Sequence, residues 1–163
     1  MNRIDFALLL LRVVFGLSLA YHGVNKVKNG LAGTSGWFSS IGLKWPMAQA
    51  ITAAATEIGA GLMMATGLVT PLSSAAVIAT MVVAIVTVHW RVGFFIFLPN
   101  GGWEYCASIA VVAAVISLTG AGSASLDHGF GWEFGTSTSV GAVILGVALA
   151  VLHLLASYRP KAS

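Results

Sequence analysis

Five long apolar segments are the feature that most constrains the fold of this chain. A helix needs about 20 apolar residues to cross a hydrocarbon core roughly 30 Å thick, and the segments are of this order, with the fourth the shortest. Backbone groups in lipid must be satisfied within the segment, and the residues do not alternate as in a barrel strand, so each segment is predicted to be a helix. The segments run near Ile4–His22, Met47–Leu68, Leu72–Trp90, Glu104–Leu118 and Val140–Ser157.

The composition indicates a membrane protein made of these helices alone. Hydrophobic residues make up 58% of the 163 residues and charged residues only 8%, which excludes a soluble globular protein. We therefore expect one all-α integral membrane domain over residues 1–163, a four-helix transmembrane bundle plus a fifth transmembrane helix near residues 139–158. The first segment carries Arg12 in its middle and lacks a small-residue cleavage site, so it is predicted to be retained and not removed as a signal peptide.

Basic residues are concentrated at one end of the predicted bundle. With five spans, the N-terminus, the 69–71 turn and the 123–139 loop share a side whose one basic residue is Arg3. Lys and Arg are enriched in cytoplasmic loops, so we expect a multi-pass protein of the cytoplasmic membrane with its C-terminus in the cytoplasm. The basic residues flank helices and form no nucleic-acid-binding motif, so the expected partner is the lipid bilayer and not nucleic acid. The basic end holds Lys26, Lys28, Lys44, Arg91, Arg159 and Lys161.

Two charged residues lie near the middles of the first two segments. Arg12 and Glu57 are at similar distances from the loop that joins these segments, so at about 1.5 Å per residue they share a depth. A charge at the bilayer centre costs about 2.5–3.5 kcal/mol on insertion scales, which predicts a buried ion pair. Small residues such as Gly16, Ala20 and Gly61 would let the helices approach closely. We favour a structural role over a proton or substrate path, because an arginine keeps its proton.

Three helix ends are predicted to bring titratable groups to one membrane face. The first and third helices run in the same direction and the fourth begins where the third ends, so His22, His89 and Glu104 converge there. These are our candidate catalytic residues, with the histidines exchanging protons and Glu104 orienting a histidine or Lys26. Two connecting loops at this face, at 36–38 and 93–103, are aromatic and glycine-rich, and the second, which is too apolar for an ordinary solvated loop, is predicted to cover the site. The candidate ligand-binding residues at this face are Lys26, Trp37, Trp90 and Tyr105.

Two imidazoles and a carboxylate are compatible with several kinds of site. They are plausible metal ligands, but they lack the local spacing of a known metal motif. Bis-histidine haem ligation between helices is a weaker alternative. A quinone or similar small redox ligand fits better, because histidine titrates near neutral pH and aromatic rings can stack on the ligand. An interfacial belt would explain the Trp and Tyr residues but not two histidines. We favour the quinone and expect no metal.

Several short motifs resemble those of the DoxX family of small bacterial membrane proteins. Together they extend over about residues 8–127, and the order His-Trp followed by Gly-Gly-x-Glu-Tyr is the most specific part. The usual family core has four transmembrane helices, which corresponds here to about residues 4–127 and leaves the fifth segment outside it. The motifs are Leu11–Gly16, His22–Lys26, Gly33–Phe38, Glu57–Gly59 with Gly67, Thr87–Trp90, Gly93–Phe95, Gly101–Tyr105 and Ser125–Asp127.

The resemblance implies an association with redox chemistry and with partner subunits. Relatives in the family include a thiosulfate:quinone oxidoreductase subunit. Actinobacterial members are associated with a membrane complex that contains a superoxide dismutase and a thiosulfate sulfurtransferase. The residues of this chain at matching motif positions are Arg12, His22, Lys26, Glu57, His89, Glu104 and Tyr105.

Three classes of function are compatible with these residues. The leading hypothesis is an integral membrane component of an oxidoreductase or oxidative-stress-related complex, with a quinone or small redox ligand at the His/Glu cluster. The alternative is a non-catalytic scaffold or accessory subunit of a larger membrane complex. A small transporter is favoured by Arg12 and Glu57 but lacks broken helices and a clear inverted repeat.

Overall fold

The computed structural model describes residues 1–160 and consists of helices joined by short loops. All five predicted segments are helical, so the predicted all-α membrane fold is confirmed. The predicted basic residue Lys161 lies outside the described residues. The long helices are α1 Arg3–Lys28, α3 Pro46–Thr66, α4 Thr70–Ala84, α5 Glu104–Thr119 and α7 Thr136–Ser157; α4 continues as a π-helix over Ile85–His89.

Two short helices lie in connections between the long ones. The first, α2, runs from Leu31 to Ser40 and packs against α3. It includes residues 36–38, which were predicted to be a loop, so that prediction is wrong. The second, α6, is a single turn over Leu126–Gly129. The ten residues of α2 are a mixture that includes Gly, Ser and aromatic residues and shows little amphipathic pattern. Helix α2 is held in place because Phe38 packs into a small core beside Leu43 and Ala50.

Three helices are both long and apolar enough to cross a bilayer within the described residues: Arg3–Lys28, Thr70–His89 and Thr136–Ser157. The 16-residue α5 is apolar but shorter. At about 1.5 Å per residue, its length is less than the thickness of a hydrocarbon core, which is roughly 30 Å. The 21-residue α3 is interrupted by polar residues such as Gln49 and Glu57. Large apolar side chains on the outer faces of α1 and α7 are exposed, including Leu10, Ile144 and Leu155. These faces suit contact with lipid.

Helices α1 and α3 pack through small residues, as predicted. A β-carbon at Gly16 would lie 2.5 Å from Gly61 O, and one at Gly61 would lie 2.5 Å from Gly16 O. No side chain fits between the two backbones at this crossing. The close approach matches the packing of membrane helices through small residues, and it fixes which residues of α1 face α3.

Helix α4 lies at the centre of the bundle and packs against α3, α5 and α7. Its Val77 is fully buried beside Met64 of α3 and Ile116 of α5. Helix α7 approaches α4 closely at Gly146, where a β-carbon would lie 2.7 Å from Ala75 O. The fifth long helix is therefore part of the bundle and not an appendage.

A short backbone pairing joins the connection between α2 and α3 to the end of α7. Leu43 and Tyr158 form an antiparallel β-bridge. Lys44 N donates to Ser157 O over 2.9 Å, and Arg159 N donates to Gly42 O over 2.8 Å. Lys44 and Arg159 therefore lie at the same end of the bundle, as the segment directions predicted.

Candidate functional site

The last turn of α4 widens from an α-helix to a π-helix and ends at the predicted site residue His89. The wider turn includes a hydrogen bond that Trp90 N donates to Ile85 O over 2.7 Å. The segment Ile85–His89 is rich in β-branched residues, which are less favourable in an α-helix than straight-chain residues. Single π-helical turns occur frequently at functional sites, and this one determines the direction in which His89 and the following residues leave the helix.

His89 is held by one hydrogen bond to the loop that follows α4. Its Nδ1 lies 2.7 Å from Gly101 O. A backbone carbonyl can only accept, so Nδ1 must carry the hydrogen in this pair. In the neutral ring the other nitrogen, Nε2, is then the unprotonated one and can accept a hydrogen bond or a proton. The fold thus selects a tautomer of His89 with a basic Nε2.

Aromatic side chains are concentrated in the loop that follows this histidine, over residues 90–103, here called the aromatic loop. The rings of Trp90 and Trp103 stack with centroids 5.9 Å apart and planes 22° apart. Phe94 meets Trp103 edge to face at 4.6 Å. The outer part of the loop is apolar and exposed, and Phe97 is 78% exposed. An exposed aromatic surface beside a helix end is typical of a membrane–water interface.

Glu104 stabilises the aromatic loop from the first residue of α5. Its Oε2 accepts a hydrogen bond from Ile96 N over 3.1 Å, and its own N–H donates to Phe94 O over 2.9 Å. Gly102 allows the backbone to lie directly against Phe94, because a β-carbon at this position would overlap the Phe94 carbonyl. Among residues 1–160, the hydrogen bonds of the Glu104 carboxylate go to the loop and not to His22, His89 or Lys26. The prediction that Glu104 orients one of those three side chains is wrong.

The predicted ion pair between Arg12 and Glu57 is not formed. Glu57 Oε2 instead lies 2.5 Å from Lys26 Nζ. The error lies in the length of α1, which continues through Lys26 to Lys28 and brings an ammonium group level with Glu57. Both side chains are largely buried, at 21% exposure for Lys26 and 9% for Glu57.

Arg12 is completely buried and binds backbone carbonyls near the opposite end of the bundle. Its Nη2 donates to Ala124 O over 2.6 Å, and its Nη1 donates to Ala65 O over 3.4 Å. Arg12 and Asp127 both lie against Gly67, because the guanidinium occupies the space of a β-carbon there and Asp127 N donates to Gly67 O over 2.9 Å. We call Arg12, Gly67, Thr70 and Asp127 the Arg12–Asp127 cluster.

Asp127 connects this cluster to the start of α4. Its carboxylate accepts hydrogen bonds from Val69 N at 2.6 Å, Thr70 N at 2.9 Å and Thr70 Oγ1 at 2.6 Å. These bonds satisfy N–H groups at the beginning of a helix, which have no partner within the helix. They also hold Val69 at a φ of 44°, a conformation that is unusual for a β-branched residue. The loop after α5 therefore fixes the turn between α3 and α4.

The remaining predicted residues lie at the same end of the bundle as His89. His22 is exposed on α1, Tyr105 is exposed in the first turn of α5, and Trp37 of α2 is 44% exposed and packs against Phe38. Among residues 1–160, no hydrogen bond joins His22 to His89 or Glu104, and no group of three or more His, Cys, Asp and Glu side chains could hold a metal ion.

Comparison with known proteins gives this arrangement a context. A family model described as DoxX matches residues 7–90, just over half of the 163-residue chain. The chain belongs to the DoxX family. It is 32% identical over 123 residues to a Bacillus subtilis (strain 168) protein named "Putative oxidoreductase CatD", and the alignment covers 76% of this chain and 86% of that protein. No solved structure matches the chain.

Two cavities of this DoxX protein lie at opposite ends of the bundle. The larger, about 460 Å³, lies beside the first turns of α1 and α4 and is lined by residues that include Asp5, Thr70, Ser123 and Glu133. The smaller, about 210 Å³, lies between the ends of α2, α4 and α7. Neither lining includes His22, His89 or Glu104.

Proposed function

We propose that this DoxX protein is the integral membrane component of an oxidoreductase complex and that it binds a quinone headgroup beside His89. The observation that carries the proposal is the hydrogen bond between His89 Nδ1 and Gly101 O at 2.7 Å. This bond leaves Nε2 as the exchangeable position of the ring. The stacked indoles of Trp90, which directly follows His89 in the chain, and Trp103 offer a planar aromatic surface, which suits a flat quinone ring.

In our proposal the chemistry at this position involves a second protein. Reduction of a quinone to a quinol consumes two electrons and two protons. In our proposal His89 supplies one proton from Nε2–H, water at the membrane face supplies the other, and a redox centre of a partner subunit supplies both electrons. The name of the Bacillus subtilis relative supports a role in oxidation and reduction. Glu104 acts as a positioning residue, because it fixes the loop that carries the stacked indoles.

The site lies at the end of the bundle that carries Lys26, Lys28, Lys44, Arg91 and Arg159. We propose that this end faces the cytoplasm, because Lys and Arg are enriched on that side of membrane proteins. The quinone tail would remain in the lipid while the headgroup reaches the aromatic loop at the interface. The partner subunit would then dock from the cytoplasmic side.

Binding of a short-chain quinone and of the matching quinol to purified protein in nanodiscs tests the proposal. A quinone oxygen accepts a hydrogen bond, so quinone binding needs a hydrogen on Nε2 and should weaken as the pH is raised. A quinol donates, so its binding should strengthen as the pH is raised. Opposite slopes for the two ligands are the signature of one ring nitrogen that gains and loses a proton. The absence of binding, or the same slope for both ligands, would contradict the proposal.

Two substitutions distinguish the roles of the two ring nitrogens of His89. In His89→Asn the side-chain amide can still donate to Gly101 O, but the Nε2 position is lost. In His89→Gln an amide group lies near the Nε2 position, but it does not titrate. Both variants should lose the pH dependence, and only His89→Gln should retain measurable quinone binding. His22→Ala tests whether the second predicted histidine contributes to the same pH dependence.

A scaffold function is the second candidate, favoured by the exposed outer residues of the aromatic loop. Phe95, Ile96 and Phe97 are 50%, 51% and 78% exposed, and exposed aromatic residues are enriched at protein interfaces. If His89→Asn leaves the complex and its activity unchanged while Phe97→Ser disperses the subunits, the scaffold function is correct and the quinone proposal is wrong.

A further inference from the structure

We propose that the groove between the ends of α2, α4 and α7 binds the phosphate group of an anionic phospholipid. The groove has a volume of about 210 Å³ and lies at the basic end of the bundle. Its lining combines one cationic side chain, three hydroxyl groups and two apolar residues: Ser40, Ile41, Thr87, Arg91, Tyr158 and Pro160.

The groove is formed by backbone interactions within the protein that do not depend on a bound ligand. The β-bridge between Leu43 and Tyr158 fixes the position of Tyr158 relative to the end of α2. Gly42 has a φ of 92°, and a β-carbon there would overlap Arg159 O, so the two backbones are in direct contact. On the third side, the π-helical turn of α4 directs both Thr87 and Arg91 towards the groove. A preformed site binds without the entropic cost of ordering its walls.

The hydrogen-bond donors that remain available in the groove suit an anion. The hydroxyl of Ser40 donates to Trp37 O over 2.7 Å, and that of Thr87 donates to Val83 O over 2.8 Å. Arg91 and Tyr158 are therefore the side chains whose donors are left for a ligand. No acidic residue is in the described lining, and Arg91 forms no ion pair within residues 1–160. A guanidinium presents paired donors that match the oxygens of a phosphate group.

The position of the groove favours a lipid phosphate over a free phosphate ion. It opens where two candidate membrane helices, the extended α4 and α7, end beside the short helix α2. We infer that this end lies at the depth of lipid headgroups, and basic pockets between transmembrane helices are known to bind anionic headgroups. Lys44 and Arg159 lie on the adjoining connection and add positive charge around the opening. A volume of about 210 Å³ holds a phosphate and its ester links, and the acyl chains would stay in the bilayer beside α4 and α7.

Lipid binding to detergent-purified protein, measured by native mass spectrometry, tests this proposal. Phosphatidylglycerol should bind more tightly than phosphatidylcholine, and inorganic phosphate should compete weakly. Arg91→Gln should weaken phosphatidylglycerol binding roughly tenfold, the loss expected for one charge-assisted contact. Lys28→Gln removes the same unit charge from the same end of the bundle without touching the groove, and it should change binding by less than about twofold.

Three results would overturn the proposal. Equal losses in Arg91→Gln and Lys28→Gln would show that the attraction is diffuse and has no site. Equal binding of both lipids, together with Arg91-dependent binding of inorganic phosphate, would show a site for the free ion. Unchanged lipid binding in both Arg91→Gln and Tyr158→Phe would exclude the groove. Thermal melting without added lipid checks that each variant is folded.

Discussion

Lys26 and Glu57 join α1 to α3 by an ion pair in which Nζ lies 2.5 Å from Oε2. At about 3.6 residues per turn, Glu57 lies about one turn from Gly61 and Lys26 nearly three turns from Gly16, on the side of the candidate site. Small residues bring the two backbones together, and the ion pair then fixes their relative rotation and sliding. It sets the position of the end of α1 from which α2 departs.

Removing one charge of this pair should destabilise the protein. In Glu57→Gln the Lys26 ammonium loses its carboxylate partner, and we expect a loss of about 1–3 kcal/mol in the free energy of unfolding. A lower melting temperature in detergent and a lower folded yield would show this. Lys28→Gln, on the same helix but without this partner, is the control. The double variant Lys26→Met/Glu57→Leu should recover part of the loss, since a buried pair can often be replaced by apolar residues. A melting temperature for Glu57→Gln equal to that of the control would count against the pair.

Arg12 should be more sensitive than either member of that pair. Arg12→Met leaves the carbonyls of Ala65 and Ala124 without their donor and Asp127 without the nearby positive charge, so we expect a loss of about 3–5 kcal/mol. Arg12→Lys should lose most of this stability as well, because one ammonium group does not reproduce the planar fork of a guanidinium. The effects of Arg12→Met and Glu57→Gln should add within about 0.5 kcal/mol. A larger interaction energy would indicate that the two residues pair after all.

Gly67 should tolerate no side chain. Its φ is 64°, and a β-carbon would overlap the Arg12 guanidinium, so Gly67→Ala combines a left-handed conformation, about 1–2 kcal/mol, with displacement of Arg12. Gly59→Ala in α3 is the matched control, because a β-carbon there meets no atom within 4 Å. We expect a clear fall in melting temperature for Gly67→Ala and little change for Gly59→Ala. Equal melting temperatures for the two variants would refute this account of the turn.

The two ends of the bundle should lie on opposite sides of the membrane. Ser125 belongs to the loop beside the Arg12–Asp127 cluster, and α7 then crosses the bundle to Ser157. Reporter fusions after Ser125 and after Ser163 should therefore report opposite sides, with the C-terminal fusion active in the cytoplasm. Reports from the same side would exclude α7 as a spanning helix.

Element positions could be predicted from the sequence because each depends on a local pattern. Long apolar runs predict helices, and small residues at spacings of three and four predict the α1–α3 crossing, which Gly16 and Gly61 confirm. The helix α2 was missed because its ten residues carry no strong periodicity. The π-helical turn was missed because it keeps the composition of the α-helix that it extends.

The partners of the buried charged residues could not be predicted only from their similar depths in the bilayer. Lys26 was assigned to the connecting loop, so it was not considered as the partner of Glu57. Asp127 binds a turn 57 residues away in the sequence, and no spacing rule links the two. Its place in a motif that resembles the family was the one available signal.

The measurement that tests the proposed site most directly is the protonation of the two ring nitrogens of His89. In ¹⁵N-histidine-labelled protein at alkaline pH, assigned by comparison with His89→Asn, Nδ1 should carry the hydrogen and Nε2 should be unprotonated, as the hydrogen bond to Gly101 O requires. Addition of the quinol should shift the Nε2 signal and leave the Nδ1 signal nearly unchanged. An unprotonated Nδ1, or an Nε2 signal that does not respond to the quinol, would contradict the assignment of His89 as the proton-exchanging residue.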